Sequence, residues 1–154
     1  MENVVVAKFG GSSLSDSAQF KKVKDIVLSD ENRRYIVPSA PGKRHNKDYK
    51  ITDLLYLTHD HVKSGIPFEE VYKYIEERYI QICSELSLSV DIEKHLRDLK
   101  EKIVSGVTRD FIASRGEYLS GIILAEYLGF EFIDAAEIIK FKRNGSLDED
   151  ATYT

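Results

Sequence analysis

With a single cysteine, Cys83, in 154 residues, the sequence cannot build an internal disulfide framework, and a reducing, cytoplasmic setting is expected. No apolar run approaches the roughly 18 residues that a membrane-spanning helix takes. Cations are not in surplus. The 22 Lys and Arg against 26 Asp and Glu leave a formal net charge of −4, which argues against a general nucleic-acid binder, because neutralising phosphates takes clustered Lys and Arg. Met1 leads into strand-like sequence without a signal-peptide layout. No repeat, low-complexity tract or linker marks a second domain, and no Ser/His/Asp arrangement is recognisable. What is present is ordinary for a globular chain: 42% apolar and 31% charged residues, enough for one compact domain with a core.

Residues Val4 to Phe9 form a short β-branched run stopped by Gly10-Gly11, the pattern of a strand buried on both faces in a parallel sheet. Ser12 to Asp16 offer N-caps for a helix carrying Phe20, Val23, Ile26 and Val27. Tyr35-Ile36-Val37 reads as a second strand, ended by Pro38-Ser39-Ala40-Pro41-Gly42, and the charged stretch Lys43 to Lys50 as an exposed, mobile loop. Helical spacing predicts helices from Ile51 to about Val62, from Phe68 to Leu86, and from Ile92 to Ile103 with Asp91 as cap. The last two are expected to form an antiparallel hairpin or lid. Phe111 to Leu128 leaves little polar face, so that helix should be buried on most sides, with Gly129 as its C-cap and a third strand over Phe130 to Ile133.

Strand–helix–strand order predicts an α/β fold, a three-layer α/β/α sandwich around a mainly parallel sheet. Three strands make a small sheet with an unpaired edge, so the stretch is expected to be a portion of a larger domain. Asn144-Gly145 is a turn signal.

Three places could carry chemistry. Lys8 to Ser13, KFGGSS, joins a strand end, a cation and two glycines; glycines let backbone approach a phosphate, and Lys8 would offset phosphoryl charge. A plain tight turn is the competing reading, since neither the P-loop nor the dinucleotide spacing is present. Ser39 to Gly42 follows the second strand, so Ser39 and Gly10 could line one crevice at the strands' carboxyl ends, or the Pro and Gly could simply turn the chain. Glu117, beside Gly116 at the entry to an apolar stretch, needs a partner: a substrate ammonium or its neighbour Arg115. His59 and His61 stand two apart and do not share a helix face, so they read as solvated side chains and not a metal pair; no metal ligands are assigned. His45 and His95 are expected to be exposed, Cys83 to be a core residue, and Tyr72, Tyr74 and Tyr79 to follow helical packing positions.

The segments VVVAKFGGSSL, VPSAPG, KITDLL and SRGEYLSGIILAEYLG, in this order, resemble aspartate kinases of the amino-acid kinase superfamily. The opening motif alone is shared with relatives acting on glutamate, carbamate or nucleoside monophosphates; ITDLL and SRGE point to aspartate. The resemblance implies the N-terminal portion of a catalytic domain that transfers the γ-phosphoryl group of ATP, with Mg²⁺, to the side-chain carboxylate of L-aspartate. It places Lys8 as the catalytic cation and Lys8, Phe9, Gly10, Gly11 and Ser12 at the phosphates. Ser39 and Thr52 fall where substrate and phosphoryl group meet, and Glu117 at the substrate ammonium. It further implies a homo-oligomer, a cytoplasmic location, no nucleic-acid or membrane partner, and a second half-domain and ACT regulatory domains outside residues 1–154. Two other readings remain: a kinase for another carboxylate such as glutamate, or a short non-catalytic relative that binds a ligand or associates with a kinase.

Overall fold

The structure is a computed structural model and describes residues 3–153. Strand β1 (Val5–Phe9) ends at Gly10 and passes through a 3-10 turn, Gly11–Leu14, into helix α1 (Ser17–Leu28). Asp16 caps α1 by accepting the N–H of Gln19, and the helix buries Phe20, Val23 and Val27. Strand β2 (Arg33–Pro38) returns parallel to β1, pairing Ala7 with Ile36, Lys8 with Val37 and Phe9 with Pro38.

Four helices follow: α2 (Ile51–Lys63), α3 (Glu69–Glu85), α4 (Ile92–Ser105) and α5 (Arg109–Leu128). Asp91 and Thr108 cap α4 and α5 by accepting the N–H groups of Lys94 and Phe111, and Gly129 ends α5 at φ 72°, the left-handed conformation that favours glycine. The chain closes with short helices α6 (Ala135–Ile138) and α7 (Glu149–Thr152) around an Asn144-Gly145 turn. No helix among the described residues is long and apolar enough to cross a membrane.

The α/β class with a parallel sheet is what forms, with two corrections. Phe130–Ile133 joins no strand ladder. Its Phe132 instead docks on α5, edge-on to Tyr118 at 5.4 Å and against Gly121, where a Cβ would lie 2.7 Å from the ring. The strands are also not buried on both faces. Paired residues of a parallel ladder point the same way, and Val6, Tyr35 and Val37 remain 64, 59 and 46% exposed while Phe9 is buried. The helices cover the Phe9 side.

The core centres on α3. Tyr72, Ile75, Tyr79 and Ile82 are buried against α2, α4 and α1, and Cys83 is buried beside them. Both buried tyrosines place their hydroxyls: Tyr72 donates to the Leu96 carbonyl at 2.7 Å and Tyr79 to that of Gly116 at 2.8 Å. The α3–α4 pair is thus part of the core, since Leu96, Leu99 and Ile103 join the same cluster. Tyr74 departs from expectation and is exposed, facing Tyr49. His95 is half-buried against Tyr118.

Candidate active site

Two loops leave the carboxyl ends of β1 and β2 and are stitched together by backbone. The Ser39 N–H donates to the Phe9 carbonyl at 3.0 Å, and the Gly42 N–H to that of Gly11 at 2.8 Å. Helix α2 starts from the second loop, with the Ile51 N–H on the Pro41 carbonyl at 3.0 Å, which sets Thr52 in its first turn beside that loop. From the far end of the sequence, α5 brings Glu117, whose Oε1 accepts the Ala40 N–H at 3.4 Å. Lys8, Gly10, Gly11, Ser12, Ser39, Thr52 and Glu117 therefore gather at one edge. Phe9 reaches it through its backbone alone, because its ring is buried.

Glycine has two different roles here. A Cβ on Gly42 would lie 2.7 Å from the Gly11 carbonyl carbon, one on Gly11 3.0 Å from the Ala40 oxygen, and one on Gly116 2.6 Å from the Ala40 Cβ. Those three glycines allow the loops and α5 to close on each other. Gly10 is extended, at φ −78° and ψ 171°, and a Cβ there meets nothing within 4 Å. Neither its conformation nor its protein neighbours call for glycine, and the space beside it is open.

The charges exclude Arg115 as the partner of Glu117. Arg115 turns away from it and pairs with Asp134 at 3.3 Å, its guanidinium lying 4.8 Å and 4.6 Å from the ring centroids of Phe111 and Tyr118. The Glu117 carboxylate is left half-exposed beside Ala40. Lys8 is exposed at the same edge, with no ion-pair partner among the described residues. The two groups differ in sign.

Beneath the loops lies a group that sequence reasoning missed. Arg78 of α3 is 4% exposed and donates to the carbonyls of Gly42 (2.9 Å) and Ser15 (3.2 Å) and to Asp48 Oδ2 (2.6 Å). Asp48 also accepts the Arg44 backbone N–H and guanidinium. The Arg44 side chain, then backbone N–H donors and the nearby Arg78 charge, hold the Asp48 carboxyl well below the usual carboxylate range against the opposing effect of burial. The 43–50 stretch is exposed over residues 43–47, as expected, and anchored at Asp48. Burial pushes the Tyr79 phenol far above its usual range and keeps it a donor to Gly116.

The other sequence candidates lie elsewhere. His59 contacts Asp60 at 3.2 Å and His61 the Pro67 carbonyl at 2.9 Å, near the end of α2. His59, with Asp60, Val62 and Lys63, borders an open hollow of about 650 Å³ between α2 and the α4–α5 connection. No group of three His, Cys, Asp or Glu among the described residues could hold a metal ion.

No family model matches the chain. Aspartokinase 3 of Bacillus subtilis is 35% identical over 136 residues, covering 84% of this chain and 30% of that protein. Lysine-sensitive aspartokinase 3 of Escherichia coli is 30% identical over 138 residues, covering 83% and 29%. The crystal structure of Clostridium acetobutylicum aspartate kinase superposes with a TM-score of 0.94 at 61% identity, over 98% of this chain and 35% of that one. Over most of its own length the chain is similar to aspartokinases. It spans about a third of the length of the aspartokinases it matches, consistent with an N-terminal portion. E. coli aspartokinase III, solved in complex with aspartate and ADP, superposes with a TM-score of 0.78 at 26% identity, over 97% of this chain and 36% of that one.

Proposed function

We propose that this chain forms the N-terminal part of an aspartokinase catalytic domain, supplying the phosphate-facing loops and the ammonium-binding carboxylate for phosphoryl transfer from ATP to L-aspartate. The observation that carries the reading is Glu117: its carboxylate stands at the strands' carboxyl edge, turned from Arg115 and, among the described residues, held only by a long bond from Ala40. A substrate ammonium is the partner that geometry suits. The likeness to an aspartokinase solved with aspartate and ADP supports the same substrates here.

The chemistry asked of these residues is approach and charge balance. The aspartate side-chain carboxylate is already a nucleophile; its oxygen bonds to the γ-phosphorus as the bond to the β-phosphate bridging oxygen breaks, giving an acyl phosphate and ADP. No general base is needed. Two anions must meet, so Lys8 stabilises charge on the transferring group while Gly10 and Gly11 let backbone come close. Ser39 and Thr52 donate hydroxyls where the two substrates join, and Glu117 fixes the amine end. Mg²⁺ accompanies ATP in this chemistry; no group of three or more His, Cys, Asp or Glu among the described residues gathers to hold it, so phosphates and water would supply most of its oxygens. The product, 4-phospho-L-aspartate, is the committed intermediate toward lysine, threonine and methionine, and a cytoplasmic homo-oligomer is the assembly this reading carries.

The test is aspartate-dependent ADP release by the whole gene product. Lys8→Ala is expected to lower kcat by about a hundredfold or more, and Glu117→Gln to raise the aspartate KM by about tenfold or more. Near-normal kinetics in both variants would overturn the site, and glutamate outperforming aspartate would overturn the acceptor.

A further inference from the structure

One guanidinium on α3 bonds three separate segments around the two glycine loops. Arg78 lies 63 residues from Ser15, 36 from Gly42 and 30 from Asp48 in sequence, and bonds to all three. The peptide of Gly42 is gripped on both sides, its N–H on the Gly11 carbonyl and its own carbonyl under Arg78. Ser15 closes the 3-10 turn that begins at Gly11. The planar fork therefore spans the exit of the first glycine loop, the end of the second, and the anchor of the 43–50 segment.

We propose that Arg78 is a positioning residue for the nucleotide side of the site: it fixes the separation of the Gly10-Gly11 and Gly42 loops without touching substrate. The inference rests on the phosphate-binding role proposed for those loops. A lysine could keep the charge opposite Asp48, but as a point charge on a flexible stem it cannot reproduce a rigid fork reaching two carbonyls and a carboxylate. Glu117 is held on α5 and takes no bond from Arg78, so the fork reaches the aspartate side only indirectly, through the loop that carries Ala40 and Gly42.

The test compares wild type with Arg78→Lys in the whole gene product, rates being normalised to the folded fraction by circular dichroism. Expected for Arg78→Lys are a kcat lowered about tenfold or more, a raised KM for ATP, and an aspartate KM within about twofold of wild type, since misplaced reacting groups cost rate steeply. Wild-type kcat and ATP KM in the folded variant, even with a lowered Tm, would overturn the inference and reduce Arg78 to a stabilising contact. If Arg78→Lys does not fold, Asp48→Asn takes its place, because it removes the carboxylate that orients the fork; the same two outcomes decide. Calorimetric ADP binding separates this inference from the activity assignment. A wild type that binds ADP but does not turn over aspartate defeats the assignment alone. Weakening of that binding by about tenfold in Arg78→Lys upholds the positioning role, whereas equal affinity, or no nucleotide binding by wild type, overturns it.

Discussion

The Gly42 N–H donates to the Gly11 carbonyl at 2.8 Å, and the two glycines approach so closely that a Cβ on Gly42 would sit 2.7 Å from the Gly11 carbonyl carbon. The neighbour is backbone and cannot swing aside. Gly42→Ala is therefore expected to destabilise the fold by about 1–3 kcal/mol. Gly10→Ala meets empty space at an ordinary φ and should leave stability within about 0.5 kcal/mol of wild type, while raising the KM for ATP. Thermal unfolding beside steady-state kinetics separates the two; a Gly10→Ala variant with normal nucleotide affinity would remove Gly10 from the site.

Gly116 and Ala40 form the corresponding contact on the acceptor side. A Cβ on Gly116 would lie 2.6 Å from the Ala40 Cβ, so Gly116→Ala must move α5 or the loop and carry Glu117 with it. The expected result is an aspartate KM raised about tenfold or more with a smaller change in the ATP KM. Initial-rate measurements varying each substrate in turn check it.

Asp48 ties stability to acidity. Its pKa is depressed in the folded protein, so the stability it contributes is complete above its unfolded value near ~3.9 and is lost as pH falls through the lower folded value. Asp48→Asn should cost about 3 kcal/mol at neutral pH, because it leaves Arg78 buried without its counter-charge. The gap in Tm between wild type and variant should stay constant above about pH 5 and narrow below about pH 4. A gap independent of pH down to the onset of acid unfolding would show that the ion pair does not stabilise the fold.

Cys83 should be chemically silent in the folded protein. Burial pushes its thiol up to about 12, so at pH 8 almost no thiolate is present, and the sulfur is enclosed. Peptide mapping after iodoacetamide treatment is expected to find Cys83 unmodified in native protein and fully modified after unfolding. Rapid labelling of native protein would place it at an accessible surface.

Much of this arrangement is legible from residue spacing, and what escapes does so for definable reasons. The helices follow apolar periodicity and short-range caps, which are local properties; Asp16, Asp91, Thr108 and Gly129 stand at helix ends as such residues should. Phe130–Ile133 misleads because alternating aromatic and β-branched residues suit an extended segment whether it pairs with a strand or lays a ring on a helix; Phe132 does the latter. Arg78 sits within the stripe of Tyr72, Ile75, Tyr79 and Ile82, so helical phase alone points it inward, but its partners are carbonyls 36 and 63 residues away that no local pattern reveals. The choice between Arg115 and a ligand as the partner of Glu117 was open to a local rule. Residues two apart on a helix face different ways, the same geometry that separates His59 from His61.

The span between Gly42 and Arg78 also sets a clock. Chains leave the ribosome N-terminus first at about 5–20 residues per second, so both glycine loops exist for several seconds before the guanidinium that joins them has been synthesised. Glu117 follows Ala40 by 77 residues and comes later still. During translation the nascent chain passes through a stage with both loops made and neither fixed, in which a nucleotide would find no shaped cradle. The Arg78 contacts can form only once α3 has been made, and the Glu117 contact only once α5 has.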